Sequence, residues 1–344
     1  MKLRKVLAMT TAAAMVLSMV ACGSSGAASD EASDDTAVDS VSDTAEETDG
    51  DATYKVAICQ LLEHVALDAA SEGFTDALKD LLGDDVTIDL QSAQGEQAMC
   101  STIINNFISD DVDLILANAT LPLQTAVQAT SDIPIVGTSI TDYATALGIT
   151  DWTGVTGVNA TGTSDLAPLD EQENMLVELF PDAKTVGILF CSAEANSQYQ
   201  SDVFSAELQE DGITAIEFKF TDSNDLQSVV QSAVDQCDVL YVPTDNTAAD
   251  NTAVIKNVCV PAGVPVIAGE SGICSGCGVA TLSISYYDIG YKAGEMAYEI
   301  LVNGADPAEM EIEFAPQVTK MYNAEICEEL NITVPDGYEA IATE

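Results

Sequence analysis

Arginine is missing from the sequence after Arg4, and the 344 residues together supply only ten Lys and Arg against 57 Asp and Glu, with one His and one Trp. The formal net charge of −47 excludes the basic stripe that nucleic-acid binding needs and sets the chain against phosphate polymers and anionic lipid. Neither a nucleic-acid partner nor a phosphorylated ligand is expected. The lone histidine, His64, has no second His with which to build a zinc site. No nucleophile and base stand visibly paired, so no metal, cofactor or enzymatic activity is expected; an enzyme built on His64 or on Cys274 and Cys277 is the weaker alternative. What is plentiful is apolar: 47% of residues, an ordinary fraction for a globular protein, in a chain long enough for two domains.

The segment MKLRKVLAMTTAAAMVLSMVAC (1–22) sets Lys2, Arg4 and Lys5 before an apolar stretch that ends in small residues. That is the build of a secretory signal, and it is short for a bilayer span. Its end, Met19-Val20-Ala21-Cys22, resembles the lipobox of bacterial lipoproteins, although Leu is commoner than Met at the first position. The resemblance implies an extracytoplasmic protein held to the outer face of the bacterial membrane through a lipidated Cys22; the alternative is a plain signal with an incidental cysteine. Residues 23–51 are Gly, Ser, Ala, Thr and carboxylates with no aromatic, Lys or Arg, and read as a disordered acidic tether.

Apolar strands then alternate with amphipathic helices. Strands are expected at 54–60, 86–92, 113–118 and 134–139, with helices at 66–82, 96–109 and 121–129 between them. A second series has helices at 165–180, 196–209, 224–233 and 248–259 and strands at 185–191, 214–220, 238–243 and 264–269. This order implies an α/β fold of parallel sheets, because parallel strands need crossover helices. The Gly- and Thr-rich stretch 154–165 reads as the crossover between the two halves, and the amphipathic helix 285–304 must pack back on one of them. Cys274-Ser275-Gly276-Cys277, among glycines, reads as a turn whose thiols form a local or neighbouring disulfide; a redox pair, half a zinc site or two quiet thiols are the other options.

The stretches EHVALDAASEGF (63–74), VTIDLQSAQGE (86–96), DLILANAT (113–120), DIPIVGTSITD (132–142), AKTVGILFCSAEANS (183–197), YVPTDN (241–246) and YYDIGYKAGEMA (286–297) resemble the substrate-binding proteins of ABC importers, in the group that includes tryptophan, tyrosine and phenylalanine binders. The resemblance implies a type I periplasmic-binding fold of two Rossmann-like lobes joined by three crossings, 52–162 plus 285–316 and 163–284 plus 317–344. It implies a monomer that encloses a small ligand between its lobes and delivers it to an ABC permease. The loop after Asp142 looks shorter than the family's usual form, and the GICSGCG segment is not a general family feature.

In open parallel sheets ligands bind beyond the carboxyl ends of the strands, where helix N-termini aim unpaired amides. Those ends carry Glu63 and His64, Thr120, the run Thr138, Ser139, Thr141 and Asp142, then Ser192, Asn196 and Ser197, then Thr244, Asp245 and Asn246, and finally Glu270. An amino-acid zwitterion fits a set with hydroxyls, carboxylates and amides but no Lys or Arg. Its carboxylate would meet Thr120, Thr138, Ser139, Ser192 or Ser197, and its ammonium Asp245. Helix capping alone explains any single one of these hydroxyls. Tyr143, Trp152 and Tyr199 are candidates to stack on an aromatic ligand, with core packing as their ordinary role. An aromatic amino acid is the first choice of ligand, a nucleoside, peptide or other neutral solute the alternative, and a ligand sensor the other possible use of the same fold.

Overall fold

A computed structural model describes residues 53–341; the expected signal segment with Cys22 and the tether at 23–51 lie outside them. The first run of elements is β1 (Tyr54–Gln60), α1 (Val65–Leu82), β2 (Val86–Ser92), α2 (Gln97–Ser109), β3 (Leu114–Asn118), α3 (Thr120–Ala129), β4 (Ile135–Ile140), α4 (Tyr143–Leu147) and β5 (Ala160–Ser164). The second is α5 (Leu169–Leu179), β6 (Thr185–Cys191), α6 (Ala195–Glu210), β7 (Thr214–Phe220), α7 (Ser223–Val234), β8 (Val239–Val242), α8 (Asn246–Asp250), α9 (Thr252–Ala262), β9 (Val266–Ala268), α10 (Ser271–Cys277) and β10 (Ala280–Ser283). Then follow α11 (Tyr286–Asn303), β11 (Glu313–Phe314), β12 (Thr319–Tyr322), α12 (Ala324–Leu330) and β13 (Glu339–Ala340).

Two sheets form, ordered β11-β5-β4-β3-β1-β2 and β13-β12-β10-β9-β8-β6-β7. The first is parallel throughout, and the second is parallel except where β12 runs against β10. Central strands such as LILAN and IVGTSI are buried along their whole length, because helices cover both faces of each sheet. Apolar clusters lie on both sides of the first sheet, around Phe107 and around Phe74, and on both sides of the second, around Phe220 and around Phe204. The chain passes between the sheets three times, at 165–168, 284–285 and 315–318. A small cluster of Ala66, Ala70, Ala167, Ile284, Tyr286 and Ile289 packs at these crossings.

α11 returns to the first lobe and lies directly on α1. A Cβ at Gly290 would sit 2.0 Å from the Ala70 carbonyl oxygen, and one at Gly73 would sit 2.1 Å from that of Tyr287. Only hydrogen at both positions allows the two backbones to approach so closely.

Four expectations need correction. The stretch 154–165 is not all crossover, since Ala160–Ser164 is strand β5, paired with β4 and β11. Within that strand Gly162 adopts φ 146, and a Cβ there would lie 2.0 Å from the Gly137 carbonyl oxygen, so the position takes only glycine. The second-lobe helix accordingly begins at Leu169, behind Pro168, and leaves Asp165 in the crossing. The Cys274–Cys277 segment is helix α10 rather than a turn: the Glu270 side chain accepts from the Gly272 and Ile273 amides and starts the helix despite its glycines. All eight cysteines among the described residues are free and buried, so the expected disulfide is not formed. Buried and without disulfide partners, they act as small hydrophobes, some with a weak thiol bond to a backbone carbonyl, as from Cys277 to Ile273 at 3.3 Å.

Candidate functional site

The carboxyl ends of both sets of parallel strands meet at a cleft whose walls touch. His64, at the start of α1, places Nε2 3.2 Å from the Asn246 Oδ1 of the other lobe, and Gln200 Nε2 lies 3.4 Å from Thr141 Oγ1. Between them the inner cavity measures about 10 Å³, lined by His64, Ser139, Asp165, Asn196, Asn246 and Glu270 among others. That is room for about one water molecule.

Three buried carboxyls, Asp165, Asp245 and Glu270, line this inner cavity. Asp165 leaves the end of β5 and accepts from Thr141 Oγ1 at 3.0 Å and from the Tyr286 hydroxyl at 2.9 Å. Burial pushes its pKa up to about 6 against these two hydrogen bonds, and the charge of Glu270 adds to the shift. Burial likewise raises Glu270, with His64 and the capped amides of α10 acting in the opposite direction. No lysine or arginine lines the cavity. Ser139 faces the same space with φ 58, a left-handed backbone uncommon for serine, and its buried Oγ has no hydrogen-bond partner. A neighbouring strand end carries a second such residue, Ala119 at φ 102. Strain of this kind concentrates where backbone is held for binding.

The expected site residues divide. His64, Ser139, Asn196, Thr244, Asp245, Asn246 and Glu270 all line the inner cavity. Asp245, however, has both carboxylate oxygens occupied: Oδ2 accepts from the Cys191 amide and the Ser197 hydroxyl, each at 2.7 Å, and Oδ1 accepts from the Ala248 amide at 2.8 Å. Burial and the neighbouring Glu194 raise its pKa. It ties β6 to the start of α8, which leaves little acceptor capacity for a ligand ammonium. Ser197 is consumed by the same bond. Thr138 is buried and accepts from Thr163 Oγ1 at 3.0 Å, while Thr141 serves Asp165. Asp142 caps α4 through the Thr145 amide at 2.7 Å. Glu63 is exposed and accepts from Gln94 Nε2 at 3.3 Å, and the Ser192 side chain is exposed as well. Of the aromatic candidates, Tyr143 is core, donating to the Thr163 carbonyl at 3.2 Å, Trp152 is 38% exposed, and neither it nor Tyr199 lines either cavity.

Sequence reasoning missed four residues. Asp165 was hidden by the unrecognised strand before it, and Tyr286 by its place on an amphipathic helix. Glu194 accepts from the Asn246 and Thr247 amides at 3.0 and 2.9 Å and from the Asn246 side chain at 2.7 Å, locking the residue that meets His64. Gln200 bonds both the amide and the hydroxyl of Thr244. Such long-range pairs leave no local signal.

Beside the inner cavity lies an outer chamber of about 240 Å³, walled by both lobes, with Thr120 and Asn196 on its surface.

Residues 55–344 match the sequence profile of the ABC transporter substrate-binding proteins. A tyrosine-binding protein of Clostridioides difficile is 36% identical over 259 residues, 74% of this chain and 75% of that one. A Streptococcus pneumoniae ABC domain in complex with L-Trp is similar in structure, with TM-score 0.80 and 28% identity, covering 84% of this chain and 100% of the other. The ligand-free, open structure of a substrate-binding protein with adhesive properties from Clostridium difficile has TM-score 0.65 at 35% identity, covering 85% and 100%. The chain therefore belongs to the ABC transporter substrate-binding protein family and has its type I periplasmic-binding fold.

Proposed function

We propose that this protein captures a free amino acid, an aromatic one, between its lobes outside the cytoplasm and presents it to an ABC permease, acting as a monomer tethered through a lipidated Cys22. The observation that carries the reading is the pair of buried carboxyls, Asp165 and Glu270, facing a cleft with no lysine or arginine. An anionic ligand would find no counter-charge there, whereas an ammonium would replace the missing cation and relieve two desolvated acids. The ligand carboxylate then meets the unpartnered Ser139 hydroxyl and His64. The ammonium contact passes from Asp245 to Asp165 and Glu270, because Asp245 already accepts three hydrogen bonds where each of these accepts two. Closure follows from contacts that the ligand makes with both lobes at once. The relatives named for tyrosine and complexed with L-Trp support an aromatic side chain.

Calorimetric titration with L-tyrosine, L-tryptophan and L-phenylalanine, alongside adenosine, uridine and ribose, tests this. Saturable one-to-one binding of an aromatic amino acid is expected. Binding of a nucleoside or sugar, with no response to any amino acid, overturns it.

A further inference from the structure

The inner cavity, at about 10 Å³, has no room for a large side chain even if it opens by enough to admit an ammonium and a carboxylate. The outer chamber has such room, about 240 Å³. The two spaces adjoin: Asn196 lines both, and the same loops supply neighbours to each, Leu62 and His64 in one lobe, Thr247 and Asn246 in the other. A ligand whose main-chain end is held at Asp165 and Ser139 therefore has the outer chamber as the adjoining space with room for its side chain.

The chamber's lining is divided by chemistry. Leu61, Leu62 and Leu121 supply an apolar wall suited to the face of a ring. Its polar wall holds the half-buried Gln124, the exposed carboxylates of Glu96, Asp222 and Asp250, and hydroxyls and amides such as Thr247 and Asn251, with no lysine, arginine or histidine. Gln124 is half-buried, and its amide nitrogen already donates to the Ala146 carbonyl at 2.9 Å, which leaves the amide oxygen as an acceptor. Ionised carboxylates accept only.

We infer that the outer chamber receives the ligand's side chain and selects one that combines an apolar ring with an O–H or N–H donor at its far end, with Leu121 setting the room and Gln124 reading the donor. This rests on the amino-acid reading proposed above. It places tyrosine and tryptophan above phenylalanine, since a donor-bearing ring satisfies the half-buried Gln124 amide oxygen that a hydrocarbon ring leaves without a donor.

The test is competitive binding of L-tyrosine, L-tryptophan, L-phenylalanine and L-serine to the unmodified protein and to the Leu121→Trp and Gln124→Leu variants, each first checked for unchanged thermal unfolding. The unmodified protein should prefer tyrosine to phenylalanine by roughly 5-fold or more, the scale of one half-buried hydrogen bond. Gln124→Leu should bring that ratio close to one. Leu121→Trp, which fills the chamber, should weaken L-tyrosine at least about 10-fold while leaving its rank against L-serine reversed or nearly level. Equal affinity for tyrosine and phenylalanine in the unmodified protein, or undiminished tyrosine binding by Leu121→Trp, overturns the inference while the amino-acid reading stands. No binding of any of the four amino acids to the unmodified protein overturns both.

Discussion

Replacing Asp165 by Asn should make the ligand-free protein more stable and the binding weaker, and the opposition of these signs identifies a residue kept for its ligand. The carboxyl is lifted from 3.8 to about 6, mainly by burial. At 1.36 kcal/mol per pH unit, holding it ionised in the empty cleft costs roughly 3 kcal/mol. The folded state binds more protons than the unfolded chain between those two values, so this contribution lowers stability as pH rises through the window from about 4 to about 6 and stays at full size above it. Asparagine has the same shape and no charge, and the Thr141 and Tyr286 hydroxyls can rotate to serve its amide. At pH 8 Asp165→Asn should therefore gain about 1–3 kcal/mol, a rise of a few degrees in Tm, and the gain should vanish near pH 4, where the parent carboxyl is protonated. Binding of L-tyrosine, measured by calorimetry at pH 8, should weaken about 10- to 100-fold through loss of one charge-assisted hydrogen bond. A variant that is destabilised at pH 8 and binds as tightly as the parent would refute the reasoning, making Asp165 a structural bridge between Thr141 and Tyr286.

Gly290→Ala places a methyl carbon 2.0 Å from the Ala70 carbonyl oxygen, so α11 must move off α1; urea unfolding should show a loss of about 1–3 kcal/mol, and an unchanged midpoint would mean that the helix contact is not tight. His64→Ala removes the 3.2 Å contact to Asn246 across the cleft, so small-angle scattering of the ligand-free variant should show a larger radius of gyration than the parent, with the difference disappearing at saturating ligand. An equal radius in both would assign closure of the empty cleft to other contacts.

The alternation of strands and helices was legible because each central strand is a short apolar run with turn chemistry at its ends, as in YKVAICQ and TVGILFC. β5 was not, since ATGTS carries a glycine and no large apolar residue, and its strand character comes from the partners it pairs with on both sides. β12 was missed for a similar reason: TKMY is four half-buried residues whose direction is set by β10. The glycines in SGICSGC argue against a helix until the Glu270 side chain is seen capping it. At the cleft, the rule that polar residues gather beyond the carboxyl ends of parallel strands put Ser139, His64 and Glu270 on the cavity wall, where the structure has them, yet the same rule cannot tell a free side chain from a saturated one. Asp245 and Ser139 look alike in sequence, and only the bonds from Cys191, Ser197 and Ala248 to one, and the lack of any to the other, separate them.

The central claim is that a cleft without a lysine or arginine recognises its ligand through an ammonium group, and the most direct test compares L-tyrosine with 3-(4-hydroxyphenyl)propanoate, which keeps the ring and the carboxylate and lacks the amine. Equilibrium titration should show saturable binding of L-tyrosine and none of the propanoate at the same concentrations. Comparable affinity for the two would contradict the account.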